Sequence, residues 1–254
     1  MNNSTSTVTK KPRRGIYLLP NLFTTGCLFS GFYAIVSSMS GNFEKAAIAI
    51  FVAMILDGLD GRVARLTNTT SAFGVEYDSL ADMVTFGLAP ALIIYNWALI
   101  DLGKFGWLIA FLYTAATALR LARFNTQVES ADKRFFQGLP SPSAAAVLAG
   151  LIWMTVDFGG DGSSVSILAV ILTLSAAIFM VSNFRYYSFK EVDFKGKVPF
   201  VSLLVAVLIL VFISLDPPQI LFGAFFLYML SGLIMTLWGI RQKRQQRAKE
   251  VENG

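Results

Sequence analysis

The sequence has no histidine and one cysteine, Cys27, among its 254 residues. Imidazole can therefore serve neither as a general base nor as a metal ligand, and a lone thiol makes neither an internal disulfide nor a cysteine-based zinc site. Charged residues are also scarce, at 15% of the chain, whereas a soluble domain has about 25%. Any catalysis must use carboxylates, hydroxyls, amides, lysine or arginine, and the composition argues against a water-soluble domain.

Apolar residues take the place of the missing charge. They make up 55% of the chain, the mean hydropathy is +0.60, and several apolar runs approach the roughly 20 residues that a membrane-crossing helix needs. The sequence predicts an all-α, polytopic membrane helical bundle with about eight transmembrane helices, although a short fifth helix and a tight break between the last two leave six to eight open. In chain order, the predicted helices are Leu18–Met39, Phe43–Leu66, Asp78–Ile100, Phe105–Phe124, Ser143–Val156, Val165–Val181, Val198–Leu215 and Gln219–Ile240.

The basic residues predict how this bundle is oriented. If the N-terminus is cytoplasmic, all but two of the 21 lysine and arginine residues fall in cytoplasmic segments, and the exceptions are Lys45 and Lys104. The positive-inside rule then places both termini in the cytoplasm. Residues 1–17 form a polar, basic segment with no small-residue cleavage site after it, residues 18–240 form the membrane domain, and residues 241–254 form a basic tail. The tail favours contact with anionic lipid headgroups over nucleic acid.

Four aspartates stand in the second and third predicted helices. Asp57 and Asp60 are three residues apart and share a helix face. Asp78 and Asp82 are four residues apart and share one as well, so the two pairs can face each other across an antiparallel hairpin. Asp57 lies about 21 Å along the second helix from Phe43, short of the roughly 30 Å of the hydrocarbon core. The sequence therefore predicts four carboxylates at one depth, below the cytoplasmic surface of the membrane.

The free energy needed to place ionised aspartates in the membrane distinguishes a structural role from metal binding. Each ionised aspartate in a membrane helix costs about 2.5–3.5 kcal/mol, and four cost on the order of 10 kcal/mol if summed. Asp78 alone predicts a helix N-cap, and two of the four could pair with Arg62 and Arg65. Four need a stronger counter-charge. Oxygen-only ligands suit a hard divalent ion, Mg²⁺ or Mn²⁺, and two such ions would balance four carboxylates.

Small and basic residues accompany the second helix. Gly61 and Ala64 lie within a turn of Asp60, where they permit either the close approach of a ligand or tight helix packing. Arg65 lies one turn further toward the cytoplasm and suits a phosphate or a base edge, or else an interfacial anchor. Two metals, an arginine and no histidine predict phosphoryl or phosphatidyl transfer, and the interfacial depth predicts a lipid substrate.

The spacing of these residues resembles the signature of the CDP-alcohol phosphatidyltransferase family, which is Asp-x-x-Asp-Gly-x-x-Ala-Arg, eight residues, and Gly-x-x-x-Asp-x-x-x-Asp. The positions that carry the resemblance are Asp57, Asp60, Gly61, Ala64, Arg65, Gly74, Asp78 and Asp82. Residues 18–24, 118–125 and 138–143 further resemble the bacterial, integral-membrane phosphatidylserine synthases within that family, although their prolines also fit helix starts and turns.

This resemblance implies a role for each site residue. It implies that Asp57 and Asp78 bridge two divalent cations, Mg²⁺ or Mn²⁺. Asp60 would complete one metal site and Asp82 the other, and Asp82 would also act as the general base. The residues implied to hold the donor, CDP-diacylglycerol, are Gly61, Ala64, Arg65, Ser71, Asn21 and Thr24, the last three of which lie outside the strict motif. The resemblance also implies a homodimer in the bacterial inner membrane, with its active site facing the cytoplasm.

The acceptor predicted from this likeness is L-serine. Its hydroxyl would attack the phosphorus bonded to diacylglycerol, so that CMP leaves and phosphatidylserine forms. The carboxylate of serine needs a cationic partner, for which Arg120 and Arg123 are predicted, with topological anchoring as the alternative role of each. Glycerol 3-phosphate, inositol phosphate and choline stay open as acceptors, choline because of the Tyr186-Tyr187 pair. A cation transporter is a remote alternative, since it would spread its carboxylates along the membrane depth.

Overall fold

Nine α-helices hold most of the residues that the computed structural model describes, which are 18–67, 69, 71–126, 135–187 and 200–252. The helices are α1 (Leu18–Met39), α2 (Phe43–Leu66), α3 (Ala72–Asp82), α4 (Ala89–Ile94), α5 (Lys104–Thr126), α6 (Ser141–Asp157), α7 (Ser166–Val181), α8 (Phe200–Leu215) and α9 (Pro217–Glu252). Prolines stand in the first turns of α6 and α9, where the missing N–H has no helical partner to lose.

Helices α3 and α4 belong to one continuous helical segment, Ala72–Leu102. Two π-helical turns, Met83–Leu88 and Tyr95–Leu99, interrupt its α-helical geometry. The segment begins after Ser71, whose hydroxyl oxygen accepts a hydrogen bond of 3.0 Å from the backbone N–H of Gly74. This N-cap satisfies one of the amide groups that a helix start leaves without a partner.

The first π-helical turn lies directly after the acidic residues of α3 and against α1. The Thr85 hydroxyl donates a 3.3 Å hydrogen bond to the backbone oxygen of Cys27. At Gly31, an added Cβ would lie 2.6 Å from the same hydroxyl oxygen and 2.8 Å from the Thr85 Cα. Only glycine permits this approach of the two backbones, which brings α1 alongside the aspartates.

Within the described residues, five helices are long and apolar enough to cross a membrane, judged by length and composition. They are Leu19–Met39, Ala72–Leu102, Lys104–Thr126, Ser163–Val181 and Pro217–Thr236. Helix α2 is as long, at 24 residues, but carries the charged residues of the signature. Helix α6 and the segment Leu203–Leu215 are shorter apolar helices. The all-α prediction is confirmed, while eight crossings and cytoplasmic termini stay predictions.

Helix α6 is the most enclosed of the long helices in the described part of the chain. Twelve of its 17 residues are buried, so it has almost no surface left for lipid. It packs against α2, α7 and α9, and its alanine-rich sequence lets these neighbours come close. At Gly150, an added Cβ would lie 3.0 Å from the Cα of Phe222 on α9. The sequence predicted this helix as a short span, and the structure makes it the core of the bundle.

A two-stranded antiparallel ribbon joins two of the connections between helices. Strand β1 (Phe135–Gln137) pairs with β2 (Arg185–Tyr187), with Phe136 opposite Tyr186. The Tyr186 ring is fully buried against Gly232 of α9, and its hydroxyl donates a 3.0 Å hydrogen bond to the backbone oxygen of Met229. The ribbon therefore ties α9 to the end of the bundle where α5 and α7 finish.

The eight predicted helical segments correspond to the observed ones, and two of their bounds differ by more than two residues. The third begins at Ala72 instead of Asp78, because Ser71 supplies the N-cap. The interpretation of Asp78 as a cap is therefore wrong, and this residue lies in the second turn. The last helix continues to Glu252, through most of the predicted tail. The predicted N-terminal segment 1–17 lies outside the described residues.

Candidate active site

Three of the four predicted metal ligands come together where α2 meets α3. Asp57, Asp60 and Asp78 each offer one carboxylate oxygen, and these oxygens all lie within 4.8 Å of one another. Asp60 is buried, and Asp57 and Asp78 are half-buried. Negative oxygens at this spacing repel one another, and a cation among them removes the repulsion. A group of carboxylates without nitrogen or sulfur ligands fits a hard divalent ion such as Mg²⁺ or Mn²⁺.

Helix α1 closes this acidic group from the side. The Thr24 hydroxyl donates a 2.8 Å hydrogen bond to Oδ2 of Asp60, and Thr24 is itself buried. One turn earlier, Asn21 faces Gly74, where an added Cβ would lie 3.5 Å from the Asn21 Oδ1 and 3.2 Å from the Ser71 Oγ. The Thr24 contact holds the Asp60 carboxylate in one orientation, as a partner behind a metal ligand does.

Asp82 lies one turn beyond Asp78 and contributes no oxygen to that group among the described residues. The charges that act on its carboxylate most strongly are those of Asp57 and Asp78, followed by the opposite charge of Arg120. Its Oδ1 atom is buried and has no hydrogen-bond partner within the described part of the chain. Asp82 is therefore next to the acidic group, on the side toward α5, with one oxygen left for a ligand or a substrate.

A cavity of about 220 Å³ opens beside the acidic group. Its lining comes from α1, the end of α2 and the start of α3, and consists of Pro20, Asn21, Thr24, Asp60, Gly61, Ala64, Arg65, Thr69, Ser71, Gly74, Val75 and Asp78. All six residues predicted to hold the donor are in this set. A Cβ added at Gly61 would meet no atom within 4 Å, so this glycine leaves room in the cavity instead of enabling helix packing.

Some lining residues escaped the sequence analysis. Thr69 and Val75 lie in or just after the α2–α3 connection, and Pro20 is in the segment 18–24 that carries the resemblance but is not predicted to bind the donor. Thr69 is buried, and its hydroxyl forms a 2.7 Å hydrogen bond with that of Thr67. The fixed eight-residue gap of the signature could have indicated that this connection is part of the site, but not which of its side chains turn inward.

The two predicted serine-binding arginines differ in their surroundings. Arg120 is 7% exposed, and its Nη1 donates a 3.0 Å hydrogen bond to the hydroxyl oxygen of Ser141. Its Nε is buried and has no hydrogen-bond partner among the described residues. The charge of Arg120 acts on Asp82. Ser141 was not predicted to belong to the site, because no local pattern shows that it meets a side chain 21 residues earlier.

Arg123 instead binds the end of α7. Its guanidinium donates hydrogen bonds of 3.2–3.4 Å to the main-chain oxygens of four residues and to one side-chain amide, which are Gln137, Met180, Val181, Ser182 and Asn183. Cations at a helix C-terminus satisfy the carbonyl groups that the last turn leaves free. These contacts favour a structural role for Arg123, joining α5, β1 and α7.

Comparisons with known proteins agree with this geometry. The sequence profile of the family described as CDP-alcohol phosphatidyltransferase matches residues 17–181, which include every position of the acidic signature. The chain belongs to this family. The members of this family act in membranes, and five helices of the described chain are long and apolar enough to cross one. The chain is therefore an integral membrane protein.

The alignments with several individual relatives cover more of the chain than the family profile does. The chain is 40% identical over 232 residues to the CDP-diacylglycerol–serine O-phosphatidyltransferase of Helicobacter pylori, across 89% of this chain and 94% of the relative. It is 36% identical to the enzyme of the same name from Bacillus subtilis, across 68% and 92%. It is also 33% identical to the archaetidylserine synthase of Methanothermobacter thermautotrophicus, across 66% and 69%.

Proposed function

We propose that the protein transfers the phosphatidyl group from CDP-diacylglycerol to the hydroxyl of L-serine, forming phosphatidylserine and CMP. The observation that carries the proposal is the convergence of Asp57, Asp60 and Asp78 beside a cavity that all six predicted donor-binding residues line. The names of the relatives in Helicobacter pylori and Bacillus subtilis support serine as the acceptor. The proposal includes a homodimer in the inner membrane whose site faces the cytoplasm.

Divalent cations fit the acidic group. Asp57, Asp60 and Asp78 would hold them, with Asp82 as the fourth ligand if two ions bind. When bound, Mg²⁺ or Mn²⁺ would neutralise the diphosphate of the donor and the charge that develops on departing CMP. The Thr24 hydroxyl would keep the Asp60 carboxylate turned toward this position.

The cavity would hold the cytidine diphosphate part of the donor. Arg65 is exposed at its edge, where a guanidinium makes charge-assisted hydrogen bonds to phosphate. The open space at Gly61 would let the diphosphate approach the backbone of α2. The polar side chains of Asn21 and Ser71, which also line the cavity, would meet the nucleoside. The acyl chains would stay in the membrane.

Asp82 would take the proton from the acceptor. The serine hydroxyl oxygen forms a bond to the phosphorus, the bond from that phosphorus to the CMP oxygen breaks, and CMP leaves with the electron pair. The hydroxyl proton goes to Asp82, whose buried Oδ1 has no partner among the described residues and can accept it. A hydroxyl is a weak nucleophile at neutral pH, so a positioned base is needed. Arg120, which lies on the same side, would bind the serine carboxylate.

Release of CMP from CDP-diacylglycerol in detergent micelles, with Mg²⁺ or Mn²⁺, tests the proposal. We expect L-serine to support release and glycerol 3-phosphate, inositol phosphate and choline to support little. Phosphorylated acceptors need a denser cluster of cations than one buried arginine, and choline needs an aromatic cage. If folded protein releases no CMP in response to serine, the proposed acceptor is wrong, and a response to another alcohol would identify its replacement.

A further inference from the structure

The buried guanidinium of Arg120 has few hydrogen-bond partners among the described residues. The residue is 7% exposed, and the only hydrogen bond from its guanidinium within the described chain goes from Nη1 to Ser141. Its Nε is buried and finds no acceptor in the part of the chain that the structure describes. A buried donor without a partner costs free energy, and more so when it is charged. A group in this situation gains free energy by binding a ligand that carries an acceptor.

Ser141 adds a second positive feature at the same place. It is the first residue of α6, a helix of 17 residues, and it is fully buried. The N-terminus of a helix carries a partial positive charge and amide groups without helical partners. Because the Ser141 oxygen accepts its hydrogen bond from Arg120, the hydroxyl proton is left for another group. A guanidinium, a hydroxyl proton and a helix N-terminus together attract an anion.

The nearby aspartate decides what kind of anion fits. Asp82 acts electrostatically on Arg120 and brings a negative charge to the same side of the site. A doubly charged phosphate would be repelled more strongly than a singly charged carboxylate. An acceptor that carries a carboxylate and a hydroxyl on neighbouring carbons could bind Arg120 with the first and present the second to Asp82.

We infer that Ser141 is a positioning residue: it holds the Arg120 guanidinium against the buried N-terminus of α6, and together they form the subsite for the carboxylate of the acceptor. This inference rests on the proposed function and adds to it the group of the acceptor that is recognised and a residue that recognises it. Selection among alcohols would then depend on α6, outside the acidic signature.

The test compares L-serine with L-serinamide, which keeps the hydroxyl and the ammonium group but replaces the carboxylate with a neutral amide. We expect wild-type protein to prefer serine. Ser141→Ala should raise the KM for serine about tenfold, the effect of one hydrogen bond to a charged group, with little change in kcat or in the KM for CDP-diacylglycerol. The preference for serine over serinamide should fall by a similar factor.

Two further variants separate positioning from packing. Thr173→Val removes another buried hydroxyl, which donates a 2.7 Å hydrogen bond to the Ala169 oxygen within α7, and should leave the KM for serine unchanged. Ser141→Thr keeps the hydroxyl and should restore most of the preference. The rise in Tm that serine produces, measured on the detergent-solubilised protein, should shrink in Ser141→Ala and persist in Thr173→Val.

Each outcome bears on one conclusion. An unchanged KM for serine in Ser141→Ala overturns the inference and leaves the proposed function intact. If Ser141→Ala does not fold, a wild-type protein that uses serinamide as well as serine overturns it instead. A wild-type protein that releases no CMP with serine, but does so with another alcohol, overturns the proposed function, and the carboxylate subsite with it.

Discussion

The candidate site has an open side and a buried side. On the open side, Gly61, Arg65 and Ser71 are exposed and line a cavity between α1, α2 and α3. On the buried side, Arg120 and Ser141 are enclosed where α5 meets α6. An amphiphilic donor with two acyl chains must enter and leave through an opening to the membrane. A small polar acceptor gains from enclosure, because charges interact more strongly where water is excluded.

The largest effect is expected at Asp82, where the two sides meet. Asp82→Asn keeps the size of the side chain and removes its ability to take a proton, so serine-dependent CMP release should fall about 1,000-fold, within the range for general-base catalysis. The matched control is Glu76→Gln, which neutralises an exposed carboxylate on the same helix. Thermal unfolding should show both variants folded. An active Asp82→Asn variant would remove this residue from the base role.

The next effect separates the two arginines of α5. Arg123→Ala should lower the free energy of unfolding by about 2 kcal/mol, because main-chain oxygens at the end of α7 lose their donor, while the KM for serine in the folded protein stays unchanged. Thermal unfolding in detergent and steady-state kinetics measure the two quantities. Arg241→Ala, which removes an exposed arginine of α9, is the control. A higher KM for serine without a loss of stability would show that Arg123 binds the acceptor.

The smallest effect concerns two glycines of α2. Neither Gly58 nor Gly61 would place a Cβ within 4 Å of another atom, so replacing either with alanine should stabilise the helix by up to about 1 kcal/mol. Only Gly61 lines the cavity. Gly61→Ala should therefore raise the KM for CDP-diacylglycerol by about tenfold through crowding, and Gly58→Ala should not. Equal kinetics in the two variants would show that the donor does not pass Gly61.

What the sequence predicts well is the group of aspartates beside the open side. These aspartates lie between Asp57 and Asp82, in two helices that follow each other along the chain, so helical spacing alone indicates which side chains share a face. The α2–α3 connection was predicted too long, because the Ser71 cap is a common residue in an ordinary loop. The convergence of three carboxylates required no knowledge of distant contacts.

The buried side depends on contacts that no spacing encodes. Arg120 meets Ser141 across a connection of which residues 127–134 are not described, and Arg123 meets carbonyl groups almost 60 residues later. The β1–β2 ribbon is equally non-local, since its strands are three residues each and pair across about 50 residues. Hydropathy could show that α6 is apolar, but not that protein instead of lipid surrounds it.

The π-helical turn at Met83–Leu88 divides one helix into two halves with different tasks. A π-helical turn accommodates an additional residue, and each residue rotates the following side chains by about 100° around the axis. The residues packed against α3 can thus orient its carboxylates, while a different set of neighbours orients the apolar surface of the helix beyond Met83. Evolution could therefore alter how the distal half is packed in the bilayer while the chemistry before Met83 keeps its orientation.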